Sequence, residues 1–377
     1  MTSPRLDAVW QMLDDQVAAG RFPGCVAAVR HAGRTEVHAT GRLALDGAPM
    51  RPDTLCRIAS LSKIAGGVLT LGLVQDGVLA LDDDATRWLP ELADVRVLAD
   101  PDGPLDATVP AERGITVGDL LRMTAGFGMA MTDSPLARAM GEQGVSAGPI
   151  PPALPPEEYL ARLGRLPLSH QPGQGWLYHS GTEVLGVLLA RATGVGLPDL
   201  LAERVTGPLG LSDTGFWTAD ADRLATLYTP ADGGLEITDP PDGVWSRPPV
   251  FPSLGGGLVS TASDVLTLLC ALADGGAPVL DPASTALLTG DMLDDVQRAA
   301  AQLFLGPGRS WGGNVEVTLE RTDPWTTPGR FGWVGGTGTT GYVDPSLDLV
   351  AVLLTQRCMT GPTDGPETFW QAVHDAV

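Results

Sequence analysis

Lysine is almost missing from this chain. Of its 24 basic residues only Lys63 is a lysine, and the others are arginine. Basic charge as a whole is scarce. Against 45 acidic residues it leaves a formal net charge of -21 and a pI near 4.4. That balance argues against nucleic acid and anionic membranes as partners. The acidity is spread along the chain, not gathered in a tail, and reads mainly as a solubility feature. Cysteine is sparse: Cys25, Cys56, Cys270 and Cys358 are scattered and form no CxxC pair. Buried free thiols are expected in place of a disulfide framework. The five histidines form no HxxxH or HxH cluster, so no metal site is expected. No apolar run reaches membrane-spanning length. The first residues, Met1-Thr2-Ser3-Pro4-Arg5-Leu6-Asp7, lack the basic and apolar regions of a signal peptide. A soluble, cytoplasmic protein is expected. Internal repeats are also absent.

What is present is length and apolar content. A chain of 377 residues with 44% hydrophobic composition predicts two lobes, or one large domain with insertions. Ser3-Pro4 reads as a helix start, with Leu6, Val9, Trp10, Leu13 and Val17 at helical spacing up to Gly20. Two short β-prone runs, residues 25–29 and 35–39, flank Ala32-Gly33 and predict a hairpin. Leu55 to Ile58 reads as a short strand. From about Asp82 to Thr238 the pattern changes to helices and Pro/Gly-rich loops. Thr116 opens one helix with a capping box and Gly126 closes it; Pro156 opens another. Phe127 to Pro155 reads as a long loop. After about Ser253 glycine-rich segments return. A helix carries Val265, Leu268 and Leu272, and Val315 to Leu319 alternates as a strand. Arg330–Thr339 and Leu349–Leu354 read as paired strands, and a last helix carries Phe369, Trp370 and Val373. The expected plan is an α/β (α+β) sheet domain, residues 1–81 and 239–377, with a mostly helical insert, residues 82–238.

The one lysine stands in Ala59-Ser60-Leu61-Ser62-Lys63, ahead of a run, Ile64 to Val74, that is apolar nearly all round and reads as a buried helix. Arginine stays charged, whereas a desolvated lysine becomes neutral and serves as a base. Three residues apart on a helix, Ser60 and Lys63 share a face, as a nucleophile and its proton acceptor must. A helix start also offers a free backbone N–H to a developing oxyanion.

This stretch resembles the Ser-x-x-Lys box of the serine β-lactamase and penicillin-binding protein superfamily. Across most of the chain the likeness is to class C β-lactamases, to the β-lactamase-like carboxylesterases called family VIII, and to related transacylases. The resemblance implies the β-lactamase/transpeptidase-like fold, an antiparallel sheet built from both chain ends and flanked by helices. It also implies a catalytic role for Tyr178, which stands at the family's Tyr-x-Asn position in Tyr178-His179-Ser180. A phenolate near Lys63 is the expected general base. Ser180 has two readings, a contact to substrate or, with Glu183, a capping box for the helix that follows. His179 is expected to be neither ligand nor base.

The family's Lys-Thr-Gly strand is replaced by Trp333-Val334-Gly335-Gly336. The resemblance pairs the N–H of Gly336 with that of Ser60 as the oxyanion hole, and Gly335 lets the strand approach the substrate. Loss of the strand lysine and of the asparagine points away from β-lactams and towards neutral, apolar acyl groups. Trp333, Trp325, Phe127 and the methionines of residues 127–140 are expected to line that pocket. Gly308-Arg309-Ser310-Trp311-Gly312 matches G-x-S-x-G, but the motif needs a strand before and a helix after, and this context supplies neither.

The expected function is a serine carboxylesterase that forms an acyl-enzyme on Ser60, without cofactor, with a small-molecule ester or acyl compound as its partner. Transfer of the acyl group to an alcohol or amine is the alternative. A β-lactamase, a D-peptidase, or a sensor that stalls as the acyl-enzyme remain as rivals. Nothing in the sequence indicates an oligomeric state.

Overall fold

A strand that is apolar along its whole length must be covered on both faces. The computed structural model, which describes residues 6–361 and 364–377, shows how this chain meets that demand. Seven antiparallel strands form one sheet: β1 (Gly24–His31), β2 (Arg34–Gly41), β3 (Arg309–Trp311), β4 (Glu316–Thr318), β5 (Phe331–Gly335), β6 (Thr339–Asp344) and β7 (Leu349–Thr355). Their order is β2-β1-β7-β6-β5-β4-β3. The N-terminal hairpin is joined to the C-terminal strands by β1 and β7, in register from Cys25 opposite Thr355 to His31 opposite Leu349. Period-two alternation sends Val26, Ala28, Val350, Val352 and Leu354 into one core and Cys25, Ala27, Val29, Leu349, Ala351 and Leu353 into the other.

The main helices are α1 (Asp7–Ala18), α2 (Ser62–Gln75), α3 (Val117–Arg122), α4 (Pro135–Gln143), α5 (Pro156–Leu163), α6 (Ser180–Thr193), α7 (Ala262–Ala273), α8 (Asp295–Leu305) and α9 (Glu367–Ala376). The terminal helices α1 and α9 cover one face of the sheet with Val9, Leu13, Phe369, Trp370 and Val373. Helix α7 packs on β1, β6 and β7 from the other side. Deeper in that larger core lies α2, buried on nearly every side as its apolar sequence predicts. Its glycines admit neighbouring backbone: a Cβ on Gly67 would meet the Gly313 carbonyl at 2.0 Å. Among the described residues no single helix is long and apolar enough to cross a membrane. All four cysteines are free.

Several elements differ from the sequence reading. The expected Ser3 cap and Pro4 start lie outside the described residues. Residues 127–155 contain α4, whose Ser134 side chain accepts from the Ala137 N–H and whose first residue is Pro135. Helix α3 has the expected Thr116–Asp119 capping box but stops at Arg122, with Met123 left-handed (φ 63°), well before Gly126. Residues 330–339 are not one strand: the turn Gly336-Thr337-Gly338 separates β5 from β6, and β6 is the partner of β7. The G-x-S-x-G stretch is itself the edge strand β3, and Ser310 is buried there, bonded to Asp291.

Gly67→Ala should lower the unfolding free energy by about 1–3 kcal/mol, because the added carbon forces α2 away from a backbone that cannot yield. A urea midpoint equal to wild type would show that α2 has room to shift.

Candidate active site

Cys56–Arg57 pairs with Val259–Ser260 and delivers the chain to a turn of 3-10 helix, Ala59–Leu61, which runs directly into α2. Ser60 lies in that turn. Ala59 before it is left-handed, φ 44°, a strained state for a residue with a Cβ. The surroundings hold it there. Arg57 is buried and its Nε donates to Asp239 at 2.9 Å. Thr337 Oγ1 donates to the Arg57 carbonyl (2.7 Å) and Thr339 Oγ1 to the Ile58 carbonyl (3.0 Å). Gly335 presses on the same turn, where a Cβ would meet the Ile58 carbonyl at 2.6 Å. The end of β5 is therefore fixed against Ser60.

The Lys63 amine is fully buried. Its Nζ lies 3.1 Å from Ser60 Oγ and 3.1 Å from His179 Nδ1, and it donates to the Gly255 carbonyl. It also sits 4.6 Å above the centre of the Tyr178 ring. His179 stands at the N-cap of α6 with φ 86° and ψ -65°. Its Nε2 is 3.2 Å from Glu183 Oε1, one helical turn on. Glu183 also accepts from Ser253 Oγ (2.6 Å) and from the Gly255 N–H (3.3 Å). One carboxylate thus anchors both His179 and the Gly255 loop, two of the groups that touch Nζ.

Burial pushes the Lys63 ammonium down to about 7, with the Glu183 charge pulling the other way. Burial, and then the Lys63 charge, depress His179 and keep it neutral. Burial pushes the Glu183 carboxyl up, but its bonds to His179 and Ser253 outweigh this and hold it below the usual carboxylate range. The partner set fits a neutral amine. Two N–H bonds go to Gly255 and His179 Nδ1, and the lone pair accepts the Ser60 hydroxyl. His179 then carries its proton on Nε2, facing Glu183.

Tyr178 is boxed by aromatics, stacked on Phe304 at 4.8 Å between ring centres and edge-on to Trp311 at 6.0 Å. The Trp333 indole donates to its hydroxyl at 2.6 Å. Burial raises its pKa, opposed by hydrogen bonds with Ser60 and Trp333. Ser60, Met129, Tyr178, His179, Trp333 and Gly336 share one cavity of about 370 Å³.

The sequence model of the family described as Beta-lactamase matches residues 9–373. The chain belongs to the beta-lactamase family. Esterase EstB of Burkholderia gladioli is 33% identical to it over 99% of this chain and 94% of its own length. Monacolin J acid methylbutanoyltransferase of Aspergillus terreus is 27% identical, over 82% of this chain and 78% of its own. The solved structure of EstCE1, described as a hydrolase with promiscuous acyltransferase activity, superposes with a TM-score of 0.84. It is 27% identical and the match covers 99% of this chain and 98% of that one. The β-lactamase-like fold expected from the sequence is the fold observed.

In this member of the beta-lactamase family the structure brings Ser60, Lys63, Tyr178, Trp333 and Gly336 together. Other expected residues lie elsewhere. Phe127 faces a separate apolar cavity of about 250 Å³ with Met131 and Met140. Of residues 127–131 only Met129 reaches the Ser60 cavity. Trp325 packs against the layer of α1 and α9. Ser180 forms no capping box: the N-cap of α6 is His179, no side chain caps that end, and Glu183 is committed to His179 and Ser253. A Tyr178 phenolate is disfavoured by the same burial that deprotonates Lys63. His179, set aside from the sequence, contacts Lys63 directly. The signal was the four-residue spacing of His179 and Glu183 beside an apolar helix.

The kcat/KM for a neutral ester should climb about tenfold per pH unit up to the Lys63 value of about 7 and then level, because only the free amine accepts the proton. Glu183→Gln removes the charge that favours the ammonium, so the acidic limb should move to lower pH. A limb that stays in place would assign Glu183 no part in setting the Lys63 proton, and one that moves upward would reverse the sign of its effect.

Proposed function

We propose that the protein is a serine carboxylesterase that acts through an acyl-enzyme on Ser60, with neutral or apolar acyl esters as substrates. The observation that carries this reading is the buried Lys63 amine, poised near neutrality, 3.1 Å from the Ser60 hydroxyl inside a cavity walled by Trp333, Tyr178 and Phe304. Lys63 takes the Ser60 proton as Oγ attacks the ester carbonyl. The backbone N–H groups of Ser60 and Gly336 hold the oxyanion; among the described residues neither donates to a loop or cap acceptor. Tyr178, kept protonated by burial, gives its proton to the departing alkoxide and recovers one from Lys63. Water then attacks the acyl-enzyme. On the division proposed from the sequence, Ser60, Lys63 and Gly336 come from the sheet part (residues 1–81 and 239–377) and Tyr178 from the insert (82–238).

Trp333 presents an indole where the family strand carries a lysine, and that indole is already bonded to Tyr178. It gives a β-lactam carboxylate no cation at that position. Acyl transfer to an alcohol or amine is the second reading, favoured by the relatives named as acyltransferases. It uses the same acyl-enzyme and differs only in the nucleophile that ends it.

Ser60→Ala should cut p-nitrophenyl butyrate turnover by at least about a thousandfold, and intact-protein mass after a slow ester should show one acyl group on wild type alone. Retained turnover in the variant would refute the Ser60 mechanism. The split of product between acid and a new ester, measured with added alcohol, separates esterase from transacylase.

A further inference from the structure

We infer that His179 is a positioning residue that fixes the direction of the Ser60–Lys63 hydrogen bond, so that the amine accepts from the serine hydroxyl and does not donate to it. This deepens the esterase reading and rests on Lys63 as its base. His179 sits in a strained turn. Its φ of 86° and ψ of -65°, with the Ser180 N–H bonded to the Tyr178 carbonyl at 3.3 Å, make the rare and strained form of the γ-turn. Successive side chains of an extended chain point to opposite sides. Here the bend brings two neighbours onto one amine: Lys63 Nζ is 3.1 Å from His179 Nδ1 and 4.6 Å from the centre of the Tyr178 ring. The turn is held from both sides. The Met129 N–H donates to the Tyr178 carbonyl (2.8 Å), and the Thr182 N–H to the His179 carbonyl (3.0 Å). Strain of this kind persists only where the surroundings impose it, and it gathers at functional sites.

The direction starts at Glu183, which stays ionised, and a carboxylate only accepts. The imidazole nitrogen that faces it, Nε2 at 3.2 Å, therefore carries the proton. A neutral imidazole has one N–H, so Nδ1 accepts, and it accepts from Nζ. The Gly255 carbonyl also only accepts, and it takes the second N–H. The lone pair of the amine is left for Ser60 Oγ at 3.1 Å. With the other tautomer, an Nδ1–H would donate to that lone pair and Nζ would turn an N–H towards Ser60. The serine would then face no proton acceptor. His179 carries the choice between these two arrangements from a carboxylate to the nucleophile. When Nζ takes the Ser60 proton, its bonds to Gly255 and His179 keep their direction, so the chain of donors needs no rearrangement as charge appears.

The test compares wild type, His179→Asn and His179→Leu on p-nitrophenyl butyrate. Asparagine presents a side-chain oxygen to Nζ; leucine has similar bulk and no acceptor. His179→Leu should lower kcat on the order of 100-fold with little change in KM. His179→Asn should win back at least about tenfold of that loss. A leucine variant with wild-type kcat would overturn the proposal. So would an asparagine variant no better than leucine when both fold like wild type by circular dichroism, because the imidazole itself would then be the proton acceptor. Nitrogen NMR of histidine-labelled wild type reads the tautomer without turnover. The His179 ring, assigned by its loss from the asparagine variant, should show a protonated Nε2 and a bare Nδ1. A protonated Nδ1 would overturn the proposal whatever the kinetics. If wild type hydrolyses no ester, the esterase reading fails, and the tautomer still decides the direction of the bond.

Discussion

The structure depends on keeping one amine out of water. An ammonium is strongly solvated, and a site that removes the solvent without supplying a counter-charge in contact shifts it towards the free base. Helix α2 does the first part by being buried almost all round. The second part is finer. Nζ touches a hydroxyl, a carbonyl and a neutral imidazole, and the nearest carboxylate, Glu183, is one residue removed behind His179. Set in direct contact, that carboxylate would hold the proton on Lys63. Set behind the imidazole, it fixes the His179 tautomer and the Gly255 loop while leaving the amine near neutrality.

The Trp333–Tyr178 hydrogen bond belongs to the same scheme. An indole N–H only donates, so it fixes the phenol oxygen as an acceptor and leaves the phenol proton pointing elsewhere. Burial keeps that proton in place. Lys63 and Tyr178, in contact, are thus pushed apart in proton affinity by one environment, which favours the neutral form of each. A neutral amine and a neutral phenol therefore stand side by side.

Much of the fold was legible because it is written locally. The hairpin at Ala32-Gly33, the apolar run after Lys63 and the Thr116–Asp119 capping box all depend on near neighbours, and all were read correctly. The lone lysine three residues after Ser60 carried the family resemblance, and Trp333-Val334-Gly335-Gly336 fixed the far wall. What escaped depends on contacts across the chain. Glu183 looks like a capping residue until Ser253 and Gly255, some 70 residues away, claim it. Phe127 and Trp325 were assigned by type, and type does not say which way a side chain faces. Strand β6 was hidden because Gly335 to Gly338 read as continuing strand when three of those residues form its turn.

The buried position of the only lysine has an effect on the rest of the surface. An enzyme that handles activated acyl groups risks having them captured by its own exposed lysine amines, which form stable amides. Arginine stays protonated and is a far poorer nucleophile. With arginine at every other basic position and its single lysine side chain enclosed beside Ser60, this protein offers stray acyl donors no lysine on its outside.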